Sequence, residues 1–148
     1  MIQITSLKLN WLAELTAALL ILLFMYTAIN KLIDIDNFNN TLMGSPYLRS
    51  NAAVLSLAIP ITEILISILL FIPGSRSVGL LYSSVLMCIF SLYVGFMILF
   101  SNGSLPCSCG GIIQQMSWNQ HLIFNILFTL LSLVAWRIKK PQLKFLLQ

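Results

Sequence analysis

Four apolar runs, each roughly 18–24 residues long and separated by short polar stretches, leave few folds open to this sequence. A helix of that length rises about 1.5 Å per residue and so crosses the ~30 Å hydrocarbon core of a bilayer. The runs fall at about 12–32, 52–72, 77–100 and 118–136. Of the 148 residues, 59% are hydrophobic and 8% charged, where a soluble domain carries about 25% charged residues. Mean hydropathy is +0.96. Too little polar surface is available for a water-soluble fold. The expected fold is an all-α membrane protein, a four-transmembrane-helix bundle that forms one integral membrane domain over residues 1–148. The formal net charge of +4 does not point to nucleic acid, because the basic residues are few and flank apolar runs, as a topology signal does.

The runs carry their own punctuation. Pro73-Gly74 stops the second, and Ser101-Asn102-Gly103-Ser104 breaks the third. Trp118 and Trp136 bracket the fourth as interfacial anchors. The first run exceeds the ~7–15 residues of a secretory signal core and is followed by no small-residue cleavage pattern, so it reads as a retained helix. If the four helices alternate, Lys8, Arg76, Arg137, Lys139, Lys140 and Lys144 share one side, and only Lys31 and Arg49 reach the other. That bias predicts cytoplasmic termini and outward-facing loops at 33–51 and 101–117. In a bacterial inner membrane the outward face is the periplasm, an oxidising compartment.

Polar residues inside the runs recur at helical spacing. Ser56, Pro60, Glu63 and Ser67 form one stripe, Ser84, Cys88, Ser91 and Gly95 a second, and His121, Asn125, Thr129 and Ser132 a third. Small and hydroxyl-bearing stripes allow helices to approach closely. They are equally compatible with a ligand pocket at one end of the bundle.

The second outward loop contains Pro106-Cys107-Ser108-Cys109-Gly110-Gly111 and no formal charge. Cys107 and Cys109 have three readings: a redox-active dithiol, two soft metal ligands, or small residues in a glycine-rich turn. Two residues of extended chain span roughly 6.6–7.2 Å, whereas a disulfide needs Cα atoms ~4.4–6.8 Å apart. A Cys-Ser-Cys disulfide therefore requires a tight turn, and Gly110-Gly111 supply the backbone freedom. So small a ring is strained and easily reduced, which suits exchange better than structural stapling. Zinc needs four ligands and this face offers at most His121 besides the two thiols; copper(I) is content with two thiolates. No metal site is assigned.

Three further residues stand out. His121, the one histidine, lies at the outer end of the fourth run, placed to act as a neutral base or to hydrogen-bond a quinone carbonyl. Glu63 lies about eleven residues into the second run, roughly 16 Å down the helix. An acid at that depth is a functional candidate by default, neutralised either by a proton or by Lys31 reaching in from the end of the first run. Trp118 is a candidate contact beside His121. Glu14 calls for no special role, and Cys88 reads as a small hydrophobe.

Taken in order, these pieces resemble the MauE/DoxX-like family of redox-associated, four-helix bacterial membrane proteins. The resemblance rests on Phe24-Met25-Tyr26-Thr27-Ala28-Ile29-Asn30-Lys31-Leu32, on the acidic and aromatic loop through Phe38 to Ser45-Pro46, on Pro60-Ile61-Thr62-Glu63, and on Cys107-Ser108-Cys109-Gly110-Gly111. It covers about residues 11–137. Gly110 and His121-Leu122 depart from the usual pattern. The resemblance implies support for the maturation of a disulfide-rich periplasmic protein beside a thioredoxin-like partner. The resulting expectation is a membrane thiol–disulfide oxidoreductase or electron relay. Cys107 and Cys109 would exchange with the periplasmic thioredoxin-like protein, a quinone would serve as cofactor, and His121 and Glu63 would handle protons. The alternatives are a non-enzymatic accessory or scaffold subunit docking a partner protein, and a copper-handling protein.

Overall fold

The computed structural model describes residues 2–45, 47–100 and 117–146, with side chains over 10–45, 47–100 and 117–139. Among the described residues five α-helices follow one another: α1 (Ile2–Ile33), α2 (Ile35–Gly44), α3 (Ala52–Phe71), α4 (Arg76–Phe100) and α5 (Trp118–Leu146), with a 3-10 turn at Arg49–Asn51 leading into α3. The stretches long and apolar enough to cross a membrane are Asn10–Ile33, Arg49–Phe71, Arg76–Phe100 and Trp118–Lys139. They match the expected runs to within three residues at either end. The four long helices pack in the cyclic order α1, α3, α4, α5, with α1 and α4 meeting only thinly across the middle. Large apolar side chains such as Leu22, Val54, Leu92 and Leu130 point away from the bundle, the inside-out pattern of a helix bundle solvated by lipid.

α2 departs from the expectation that 33–51 is a loop. Helix α1 barely breaks at Asp34: its N–H still donates to the Asn30 carbonyl at 3.2 Å, and its own carbonyl accepts from Phe38 N–H at 3.0 Å. Phe38 and Leu42, one turn apart, are buried and pack with Ala52 against Leu48, Leu55 and Ile59. The asparagines and Asp36 mask this helix in the sequence. One apolar residue per turn is enough to fold a helix whose other face meets water.

The two ends of the bundle are held differently. At the end where α1 begins, Ala13, Ala17 and Leu20 pack with Leu70, Leu80 and Ala135 in the main core. Close approach there depends on Gly79: a Cβ at that position would sit 2.9 Å from the Leu70 amide nitrogen and 3.0 Å from the Leu69 carbonyl carbon. Arg76 closes the α3–α4 turn by donating from Nε to the Leu70 carbonyl at 2.9 Å, so a cation caps the negative end of α3. The same guanidinium pairs with Glu14, whose other carboxylate oxygen accepts from Lys139 at 2.7 Å. Glu14, expected to have no special role, thus ties α1, α4 and α5 together.

The stripe expected on α4 is rotated. Ser84 is buried, but Cys88 faces outward, and the packed face instead runs through Leu80, Ser83, Met87, Val94 and Met97. At about 100° per residue Cys88 is turned well away from Met87. Spacing of small residues alone fixed the period of this face but not its direction.

A candidate intramembrane site

The hydroxyl groups of the polar stripes are consumed locally. Thr16, Ser56, Ser67, Ser83, Ser84, Ser91, Thr129 and Ser132 each donate to a carbonyl three or four residues earlier in their own helix. They let helices pack without needing a partner across the interface. Thr27 likewise donates to the Phe24 carbonyl, and Ser45 accepts from the Tyr93 hydroxyl at 3.1 Å; Lys31, Glu63, His121 and Asn125 are buried residues whose longer polar groups line the space between the helices.

These four meet where the bundle opens. Beyond Phe24 and Met87 the small residues of the main core give way to bulky ones, and a cavity of about 290 Å3 lies between α1, α3, α4, α5 and the overlying α2. Its wall is almost wholly apolar, with Phe38, Leu55, Ile59, Leu86, Phe90 and Phe124 prominent. Pro60 removes one intrahelical hydrogen bond less than a turn before Glu63. Lys31 Nζ donates to Glu63 Oε1 at 2.5 Å, with side chains only 7% and 1% exposed. The ammonium also stands 5.7 Å from the centre of the Phe38 ring and 5.8 Å from that of Phe90, within the range of cation–π attraction. A lone charge at this depth would be costly, and pairing leaves the site with no net charge.

The site is incompletely satisfied. Glu63 Oε2, His121 Nδ1 and Asn125 Nδ2 have no hydrogen-bond partner among the described residues. The start of α5 is nevertheless firmly set. Ser117 N–H donates to Gln120 Oε1 at 2.9 Å, and Gln120 N–H returns to Ser117 Oγ at 3.4 Å, a reciprocal capping box. That cap fixes His121 in the first turn and Asn125 one turn below it, on the same face.

Of the residues singled out from the sequence, Lys31, Glu63 and His121 line this cavity. Trp118 is half-buried at the first position of α5 and is not part of the lining. Phe96 meets Tyr47 edge-on at a ring separation of 5.0 Å and Phe100 at 4.5 Å, and neither lines the cavity, where Phe124 is the aromatic of α5. Cys107 and Cys109 lie outside the described residues. Among the described residues no group of three or more His, Cys, Asp or Glu side chains is arranged to hold a metal ion. Asn125, Phe38 and Phe90 were not foreseen as site residues. Asn125 had a signal, since an amide costs more to bury than the hydroxyls of its stripe; the two phenylalanines had none.

The model of the methylamine utilisation protein MauE family matches residues 9–138. The chain belongs to the MauE family. That match spans nearly all of the membrane-crossing sequence and every residue of the cavity wall, so the cavity belongs to the MauE portion of the chain. Membership links the protein to redox-associated membrane proteins. No curated protein and no solved structure matches the chain.

Proposed function

We propose that this MauE-family protein is a membrane accessory subunit that docks a thioredoxin-like protein on the periplasmic side of a bacterial inner membrane. The observation that carries this reading is α2. A short loop would have sufficed to join α1 to α3, yet the chain builds a helix anchored by Phe38 and Leu42, with Asp36, Asn37, Asn40 and Met43 left exposed. Such a shelf offers a fixed, water-facing surface at the end of the bundle from which the Cys107–Cys109 segment departs. Family membership supports a role in redox-associated assembly. The test places a photo-crosslinking residue at Asn37 or Asn40 in the full chain. The expected product is a crosslink to a periplasmic protein bearing a Cys-x-x-Cys pair, and it persists in the Cys107→Ser/Cys109→Ser variant. Crosslinks to lipid alone would overturn the docking role.

A second reading keeps Cys107 and Cys109 as an exchanging dithiol, favoured by the tight ring their spacing demands. One thiolate attacks the partner's disulfide to form a mixed disulfide, and the second displaces the partner's sulfur. The chain ends oxidised by two electrons and the partner holds two thiols. Cys109→Ser would then trap the mixed disulfide. The wild-type pair would titrate reversibly within the roughly −120 to −270 mV range of exchange catalysts.

A further inference from the structure

We propose that the end of the bundle where α1 begins and α5 finishes binds the phosphate of an anionic phospholipid, on a basic stripe of α5 beside Trp136. The site lies at the opposite end of the bundle from α2. It therefore goes beyond the docking role and stands whether or not that role does.

The stripe has no acid of its own chain to pair with. Six of the eight Lys and Arg residues belong to this end, against the single acid Glu14. Glu14 is already saturated, with one oxygen paired to Arg76 and the other accepting from Lys139. Arg76 directs its remaining donors to the Leu70 and Phe71 carbonyls. The other three acids are out of reach. Glu63 is buried against Lys31. Asp34 and Asp36 lie about 20 residues along the bundle from Glu14, roughly 30 Å away, several times the ~8 Å screening length at physiological salt. The charge that balances Arg137, Lys140 and Lys144 must come from outside the chain.

Helix register gathers those three cations. Arg137, Lys140 and Lys144 stand at i, i+3 and i+7, within about 60° of one another around α5. Lys139 falls on the far side of the helix, where it meets Glu14, while Arg137 is exposed. Nor does α5 stop at the membrane surface. It continues to Leu146, about 15 Å past the apolar run that ends at Trp136. A headgroup layer is roughly 5–7 Å deep on each side of the hydrocarbon. Arg137 and Lys140 are thus placed within that layer, and Lys144 one turn further out.

Trp136 makes Arg137 the centre of the site. Its ring packs against the main core, and the guanidinium carbon of Arg137 stands 5.6 Å from the ring centre, in the range of cation–π attraction. The ring steadies a planar fork of N–H donors that suits a phosphate, which it can grip with two parallel hydrogen bonds. Tryptophan settles at the headgroup level of a bilayer. The fork is therefore held where lipid phosphates are concentrated, which favours a phospholipid over an acidic soluble partner.

The test uses the full-length protein carrying Trp11→Phe/Trp118→Phe, which leaves Trp136 as the sole tryptophan. It is placed in bilayers of phosphatidylcholine and phosphatidylglycerol, with one lipid or the other brominated close to its ester groups. Bromine quenches only tryptophan in contact with it, so the two quenching curves give a relative affinity at this site. Phosphatidylglycerol is expected to be preferred at least about fivefold, the effect of one cation near an anionic surface. Arg137→Gln/Lys140→Gln/Lys144→Gln should bring the ratio close to unity with helix content by circular dichroism unchanged. Lys139→Gln removes the same unit charge as Arg137→Gln but from outside the stripe; it should keep most of the preference that Arg137→Gln loses. Inorganic phosphate in large excess should displace none of the lipid. Three results would overturn the proposal: no preference in the wild type, which leaves the stripe to an acidic protein segment; equal losses from Lys139→Gln and Arg137→Gln, which reduce it to diffuse charge; and displacement by phosphate, which makes the ligand a free anion.

Discussion

The Lys31–Glu63 pair makes a quantitative prediction. At 2.5 Å and an effective dielectric of about 20, two unit charges attract by roughly 7 kcal/mol, while removing each ion from water costs several kcal/mol. The intact pair therefore contributes little net stability, and breaking it is what costs. Lys31→Met strands Glu63 about 16 Å from the start of α3, too deep for the short carboxyl arm to reach water. An uncompensated charge left at that depth is what makes breaking a buried pair expensive. The expected loss is accordingly about 3–5 kcal/mol. Glu63→Gln should cost less, because Lys31 lies two residues, about 3 Å, from the end of α1 and its long side chain can turn toward the interface. The double variant Lys31→Met/Glu63→Gln should recover at least about 2 kcal/mol of the summed single losses, the signature of direct coupling. Reversible unfolding in mixed micelles, followed by far-ultraviolet circular dichroism, measures all four corners of this cycle. Losses that add to within about 0.5 kcal/mol would refute the pairing, and with it the claim that the cavity is electrically neutral.

Three further changes probe the frame around the site. Gly79→Ala places a methyl against the backbone of Leu69 and Leu70, which cannot yield; it should destabilise by about 1–3 kcal/mol in the same unfolding assay. Gly95→Ala, whose nearest neighbour is a Leu122 methyl at 3.9 Å, should be close to neutral. Glu14→Gln removes the carboxylate shared by Arg76 and Lys139. Because Glu14 is 43% exposed, the loss should be no more than about 1 kcal/mol and should shrink in about 1 M salt. Phe38→Ala takes away the ring that seats α2 and faces Lys31. With the native cysteines replaced by serine, a cysteine at Leu55 should then react several-fold faster with a water-soluble maleimide, and an unchanged rate would show that α2 does not cover the cavity.

The sequence states period and depth better than it states direction. Apolar run length located all four spans because a bilayer imposes one length on every crossing helix. The stripes on α3 and α5 pointed inward as expected, since each holds a group too polar to face lipid: Glu63 on one, His121 and Asn125 on the other. On α4 the candidate residues Ser84, Cys88 and Ser91 are small and weakly polar, and lipid tolerates any of them. Nothing in their chemistry fixed the face, and it lies toward Met87 and Val94. Helix α2 escaped notice for a related reason: its two anchors, Phe38 and Leu42, are set among asparagines whose propensity favours turns, and burial against α3 overrides it. The meeting of Lys31 with Glu63 was anticipated from reach along neighbouring helices. The aromatic walls around Lys31 depend on helix order, which spacing within a single helix does not encode.

The contrast between the bundle's two acidic residues bears on why the cavity exists at all. Glu14, partly exposed, has both oxygens matched by Arg76 and Lys139. Glu63, almost wholly buried, has one matched and one not, and His121 and Asn125 beside it are likewise unmatched among the described residues. Each buried polar atom left without a partner costs about 1–3 kcal/mol, and apolar replacements of similar volume are often neutral or better for stability. A fold shaped by stability alone would match its polar groups where they are hardest to bury and leave them loose where water can reach. This chain does the reverse. Besides Asn39 Oδ1 on α2, the unpartnered atoms belong to three residues that line the cavity where the four long helices and α2 come together, and a ligand that completes their hydrogen bonds would repay that cost on binding. The unmatched atoms of Glu63, His121 and Asn125 are therefore better understood as half of an interaction than as a defect in packing.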